Sequence, residues 1–143
     1  MKQVEVSVDI ARPASEVFDY LNEVSNSPKW LKSAVSCMWT TDPPVRVGSR
    51  YEQVAQFMGK EMCTSYDVVA YEPGRLITVK SGEGSSFSLT MTRQVDPIDD
   101  DKCRLVATVE IESGQMTPAP MRAMMARNMK RDYRSLKRLL EQG

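Results

Sequence analysis

The chain has 143 residues, of which 41% are hydrophobic and 27% charged, and its formal net charge is +0. This length suits a single domain over residues 1–143 with its own core. The balanced charge gives no support for nucleic-acid binding. No histidine occurs, which excludes Ser-His-Asp and Cys-His nucleophiles and histidine zinc sites within one chain.

The three cysteines are widely spaced and form no CxxC pair. That pattern favours free thiols, no metal or other cofactor, and a reducing, cytoplasmic location. No apolar run approaches the roughly 18 residues of a membrane-spanning helix, and the alternating N-terminus lacks the apolar core of a signal peptide. We therefore expect no integral membrane association.

The first quarter of the chain predicts one strand followed by two short helices. Apolar and polar residues alternate from Val4 to Ile10, as in a half-buried strand. Pro13 suits the first turn of a helix with an apolar stripe. The stretch "SNSPKWLKSA" predicts a break followed by a short helical turn with Trp30 and Leu31, and a further strand is expected around Val35–Thr41.

The segment "SRYEQVAQFMGKEMCTSYDVVAY" predicts a β-hairpin. With Gly59 and Lys60 as the two loop residues of a type II′ turn, the ladder pairs Phe57 with Met62. Cross-strand partners share a face, and this alignment keeps the charged residues on the other face. The mainly uncharged face contains Tyr51, Gln53, Ala55, Phe57, Met62, Thr64, Tyr66 and Val68.

The remaining chain predicts further antiparallel strands and a long C-terminal helix. A turn at Pro73-Gly74 pairs Val68 with Val79 and Ala70 with Ile77, and two more alternating strands flank the acidic loop "DPIDDDK". That loop lacks the spaced ligands of a calcium site and is expected to be a solvated turn. The order is one strand, two short helices, a meander of about six strands and a helix from near Pro118 to Leu140. Such a one-sided sheet must cover its apolar face, and only the last helix is long enough to do so.

Four stretches resemble the START-like, or Bet v 1-like (SRPBCC), superfamily, and within it the bacterial proteins of polyketide cyclase/dehydrase type. They are "IARPASEVFDYLNEVSNSPKW", "VGSRYEQVAQFMGKE", "YDVVAYEPGRLITVKS" and "DYRSLKRLLE". The resemblance implies an α+β helix-grip fold, in which a curved antiparallel sheet of six to seven strands wraps the C-terminal helix around a cavity. It also implies binding of lipids, polyketides or aromatic compounds there, and cyclase activity in some members, since fold alone does not fix activity.

The last helix is predicted to have two different faces. At about 100° per residue, one stripe contains Met121, Met125, Asn128, Asp132, Leu136 and Leu139. The basic residues opposite, from Arg127 to Arg138, predict a solvated helix back. Because flexible thioethers suit an adaptable apolar pocket, we expect the methionine half to face a cavity and the leucine half a packed core. The alternative is that the methionines fill an irregular core.

The predicted ligand-binding residues lie on the inward face of the sheet, on the helix, or at one end of the cavity. They are Trp30, Tyr51, Gln53, Phe57, Met62, Tyr66, Phe87, Met121, Met125 and Asn128. Tyrosine and glutamine on an inward face need hydrogen-bond partners, which a ligand or trapped water supplies. Packing explains Trp30 equally well.

Three functional hypotheses remain open. The first is a carrier or sensor that binds a small hydrophobic molecule, such as a lipid, polyketide or aromatic compound. The second is a metal-free cyclase or dehydratase in which Asp132 acts with Tyr51 or Tyr66 as acid and base, although a structural hydrogen bond or ion pair also explains Asp132. The third is a protein-interaction module with a filled cavity. The chain is expected to be a monomer or a homodimer paired through an edge strand.

Overall fold

The computed structural model describes residues 2–57, 59–81, 88–112 and 119–142. Within them, the elements in chain order are β1 (Lys2–Ile10), α1 (Ala14–Asn22), a 3-10 helix (Val24–Lys29), β2 (Ala34–Trp39), β3 (Arg50–Phe57), β4 (Lys60–Glu72), β5 (Leu76–Ser81), β6 (Ser88–Asp99), β7 (Lys102–Glu112) and α2 (Ala119–Glu141). In this part of the chain, no helix is both long and apolar enough to cross a membrane.

The strands form one antiparallel sheet of seven strands in the order β1-β7-β6-β5-β4-β3-β2 over the described residues. Strands β2 to β7 follow one another as a meander, and β1 adds at the far edge beside β7. Helix α2 packs against β1. The curled sheet and its C-terminal helix confirm the predicted α+β helix-grip fold.

Alternation of apolar and polar residues decides which face of the sheet is buried. In β1 and β7 the inward side chains of Ile10, Leu105 and Ala107 are at most 1% exposed. Helix α1 adds Phe18 and its apolar neighbours to the same core. Pro13 precedes α1, where its fixed φ and missing N–H cost the helix nothing.

The predicted hairpin exists, but the pairing of its two strands is wrong by two residues. Phe57 pairs with Lys60 and Ala55 with Met62, so β3 ends at Phe57 and β4 begins at Lys60. Gly59 has φ 79° and occupies the second loop position instead of the first, a geometry that glycine also supplies without strain. A shift of two residues preserves the faces, so Ala55 and Met62 share a face, as predicted.

Two smaller predictions also need correction. Val68 pairs with Val79 as expected, but a bulge after Val68 pairs Ala70 with Thr78 instead of Ile77. The acidic segment is mostly strand, because β6 continues to Asp99 and β7 begins at Lys102. The extra residue of a bulge leaves no distinctive mark in a run such as "YDVVAY".

The buried stripe of α2 differs by a small rotation from the prediction. Asp132, Tyr133 and Leu136 are buried, and Met129 and Leu140 pack against the core. The expectation that Leu139 faces the core is wrong, because it is 36% exposed. The predicted basic back of the helix is exposed at Arg127, Lys130, Arg131, Arg134 and Arg138 and half-buried at Lys137.

Candidate functional site

The inner face of the sheet is closed at one end and partly open at the other. Val95 on β6 is 0% exposed at the closed end. At the open end, Leu89, Met91 and Ile111 are half-buried, and Met62 is 43% exposed. Apolar side chains on a concave face that remain in contact with solvent are typical of a binding surface.

Three aromatic side chains line the middle of this inner face. Tyr51 stacks on Tyr66 with ring centroids 5.2 Å apart, and Trp39 meets Tyr51 edge-on, also at 5.2 Å. The Trp39 indole N–H donates a hydrogen bond to the backbone carbonyl of Asn22 at 2.9 Å. Burial raises the pKa of Tyr51 and of Tyr66 above their ordinary values, and Arg93 offsets only part of this. Both phenols are therefore neutral at physiological pH.

A small cavity lies between the end of α1 and this aromatic group. Its lining comprises Leu21, Asn22, Val24, Trp39, Tyr51, Ile77, Val79, Met91 and Arg93. Its volume is about 10 Å³, close to the minimum for one water molecule. A larger guest at this depth therefore requires side chains to move, and Met91 is the flexible member of the lining.

Arg93 is the polar centre of the interior. It is 7% exposed and lies between Ile77 and Ala107 in neighbouring strands. Its Nε donates to the Tyr133 hydroxyl at 2.9 Å, and its guanidinium carbon lies 5.1 Å from the centroid of the Trp30 ring. Burial alone lowers the pKa of Arg93, but the phenols of Tyr133 and Tyr51 raise it, so the group stays a cation.

Sequence reasoning missed both Arg93 and Tyr133. The available signal was the alternation Met91, Arg93, Val95, which predicts the same inward face for all three residues. For Tyr133, the signal was its place one turn after Met129 and before Leu136. Arginine is mostly exposed in proteins and tyrosine is intermediate, and neither residue entered the predicted site.

The structure brings several predicted site residues together. Tyr51 and Tyr66 form the stacked pair, and Gln53 beside them is half-buried and pairs with Thr64. Trp30 is 4% exposed and packs on Tyr133 with ring centroids 5.0 Å apart. It therefore contacts both Tyr133 and Arg93 in the interior.

Other predicted residues lie on α2 or outside the described part of the chain. Met125 and Asn128 are half-buried, and the Asn128 Oδ1 accepts a hydrogen bond from Arg131 at 3.3 Å. Phe87 and the side chains of Phe57 and Met121 lie outside the described residues. Assignment of the predicted residues to a ligand site stays a prediction.

Asp132, the proposed acid or base, is occupied by structural contacts. Its Oδ1 accepts from the Lys32 backbone N–H at 3.4 Å and from Arg131 Nε at 3.3 Å. Burial raises the pKa of Asp132, and these donors oppose the rise. Tyr51 lines the cavity, whereas Tyr66 and Asp132 are not among the described lining residues.

A second, more polar cleft of about 290 Å³ lies between β1 and α2. Its lining includes the exposed charged residues Glu5, Lys130 and Arg134. Charges of both signs on exposed side chains remain solvated and do not favour an apolar guest. Among the described residues, no group of three or more His, Cys, Asp or Glu side chains is arranged to hold a metal ion.

Solved structures of other proteins share this fold. A START superfamily protein from Mycobacterium smegmatis matches with a TM-score of 0.83 at 16% identity, over 98% of this chain and 97% of that one. An aromatase/cyclase from a Streptomyces species matches with a TM-score of 0.68 at 17% identity, over 94% and 87%. At these identities the matches show the fold alone.

A third structure, the di-domain ARO/CYC protein BexL, matches with a TM-score of 0.80 at 18% identity over 99% of this chain. The match covers 47% of that protein, so the chain spans about half its length.

No curated protein sequence matches the chain. The family model described as polyketide cyclase / dehydrase and lipid transport matches residues 1–141. Because that match covers nearly the whole length, the chain belongs to this family.

Proposed function

We propose that the chain binds a small, largely apolar molecule on the inner face of the sheet, between its open end and the first half of α2. The observation that carries this proposal is the gradient of burial along that face. Val95 is fully buried, Met91 and Leu89 are half-buried, and Met62 is 43% exposed. A face that served only as a core would be covered along its whole length.

The energetics favour an apolar body with few polar contacts. Removing about 100 Å² of apolar surface from water contributes about 2.5 kcal/mol. The neutral hydroxyl of Tyr66 and the amide of Gln53 lie beside this surface and supply the directional hydrogen bonds that orient a ligand. This function corresponds to a carrier or sensor and requires no chemical step.

A fluorescence titration with the neutral probe N-phenyl-1-naphthylamine tests the proposal. The wild type is expected to bind it. Met62→Glu should weaken binding at least about tenfold, because a carboxylate against the apolar probe must be desolvated. Met38→Glu is the matched control, since Met38 is 63% exposed and its register with Glu52 places it on the opposite face. Absence of wild-type binding, or equal loss in both variants, contradicts the proposal.

A metal-free cyclase or dehydratase is the second candidate. The observation in its favour is the neutral Tyr51 phenol beside the cationic Arg93, since both line one cavity and donors of this kind polarise a carbonyl oxygen. A poly-β-ketone thioester mimic incubated with wild type and Tyr51→Phe tests it. This candidate predicts product formation that Tyr51→Phe reduces, whereas identical product profiles with and without protein contradict it.

A further inference from the structure

We propose that the ligand is an anionic amphiphile whose carboxylate pairs with Arg93, a deduction that rests on the proposed binding function. The neutral phenol, indole and aliphatic side chains around the cavity do not by themselves predict a charged guest. The buried guanidinium does.

The positive charge of Arg93 has no negative partner in the described part of the chain. No carboxylate of those residues lies within 4.0 Å of it, and its hydrogen bond there is the one from Nε to Tyr133. The ionisable neighbours do not supply a counter-charge, because burial raises the pKa of Tyr51 and of Tyr66 and that of Cys37 to about 11. Buried charges in proteins are ordinarily paired.

The position of Arg93 along β6 indicates where an incoming group would meet it. Leu89 and Met91, on the same face, are half-buried, Arg93 follows at 7% exposed, and Val95 is closed off at 0%. On this face of β6, Arg93 is therefore the last polar side chain before the closed core. A ligand with its apolar body over Leu89 and Met91 presents its leading end to the guanidinium.

The cavity beside Arg93 also contains an unsatisfied acceptor. Asn22 Oδ1 is buried and receives no hydrogen bond from the described residues, while its Nδ2 donates to the Tyr71 hydroxyl at 3.4 Å. Buried polar atoms are ordinarily satisfied by protein, water or ligand. The cation in this lining favours an anionic head, whose carboxylate the planar fork of arginine matches. The Asn22 acceptor needs a donor instead, which a water molecule or a ligand hydroxyl supplies.

The test compares cis-parinaric acid with its methyl ester, which share one fluorescent apolar body and differ in charge. The wild type should bind the acid at least about tenfold more tightly than the ester at pH 7.5, the gain of a charge-assisted hydrogen bond. Arg93→Met should bring the ratio of the two Kd values near one. Arg104→Met is the matched control, because Arg104 pairs with Asp9 on the exposed side of β7 and should keep the ratio.

The ratio of the two Kd values in the wild type is decisive even if Arg93→Met fails to fold. Arg93→Lys, which keeps the positive charge, should retain part of the preference for the acid over the ester. A wild-type ratio near one, or an unchanged preference in folded Arg93→Met, overturns the inference. Binding of N-phenyl-1-naphthylamine without any binding of the acid also overturns it and leaves the proposed function standing. Failure of all three probes counts against the proposed function itself.

Discussion

Replacing Leu136 by alanine tests which part of α2 holds the fold together. Leu136 is 0% exposed and belongs to the core cluster, whereas Leu139, three residues later, is 36% exposed. Removing a fully buried leucine loses its transfer free energy and leaves a cavity, which together cost about 2–5 kcal/mol. For Leu139 the same change leaves no enclosed cavity, and we expect a loss of about 1 kcal/mol or less.

The two variants should therefore differ clearly in urea and thermal unfolding. With an unfolding entropy of about 2.1 cal/mol/K per residue over 143 residues, a loss of about 3 kcal/mol lowers Tm by roughly 10 °C. Tryptophan fluorescence is a suitable signal, because Trp30 packs on Tyr133 of the same helix. Equal destabilisation by Leu136→Ala and Leu139→Ala would refute the assignment of the buried stripe.

Three further predictions concern single side chains. Of the three cysteines, Cys63 should react rapidly with a thiol reagent in the native protein, and Cys37 and Cys103 only after unfolding, since both are buried; three fast thiols would contradict this. Burial raises the pKa of Asp132 above its ordinary 3.8, so the native state holds this proton more tightly than the unfolded state. Wild type should lose stability relative to Asp132→Asn as pH rises from about 4 through the raised pKa, and then level off; a pH-independent difference in urea unfolding contradicts this. Ligand binding should change the fluorescence emission of Trp39, which lines the cavity, and Trp39→Phe should abolish that change. The same emission change in Trp39→Phe would contradict binding beside Trp39.

The fold could be predicted from the sequence because alternate side chains of a strand point to opposite faces of the sheet. Which face a residue occupies therefore depends only on whether its position in the strand is odd or even. Val6 and Ile10 had to share one face, and so did Ala55 and Met62, whichever residues formed the loop between the two strands. The exact pairing was not recoverable, because Gly59 fits either loop position at little cost. Likewise, one extra residue after Val68 changes the ladder without changing composition.

The polar interior could not be predicted with the same certainty. The pattern placed Arg93 inward, but the ordinary cost of burying a charge argues for the surface, and a single sequence gives no way to weigh the two. On α2, a rotation of one residue decides whether Leu139 or Leu140 meets the core, and helical periodicity locates a stripe less finely than that. Apart from the strand pairing, the errors therefore fall where polar groups are buried and where a helix packs against the sheet.

The buried guanidinium has a consequence for the stability of the ligand-free protein. Desolvating an unpaired charge costs several kcal/mol, and the contacts of Arg93 with Tyr133 and Trp30 return only part of it. An apolar residue at this position would make a more stable core, and in the binding mode we propose an anion offsets this cost. It follows that the acid should raise the Tm of wild type more than its methyl ester does at equal occupancy. The same comparison in Arg93→Met should show no difference, although that variant starts from a ligand-free Tm equal to or above that of wild type.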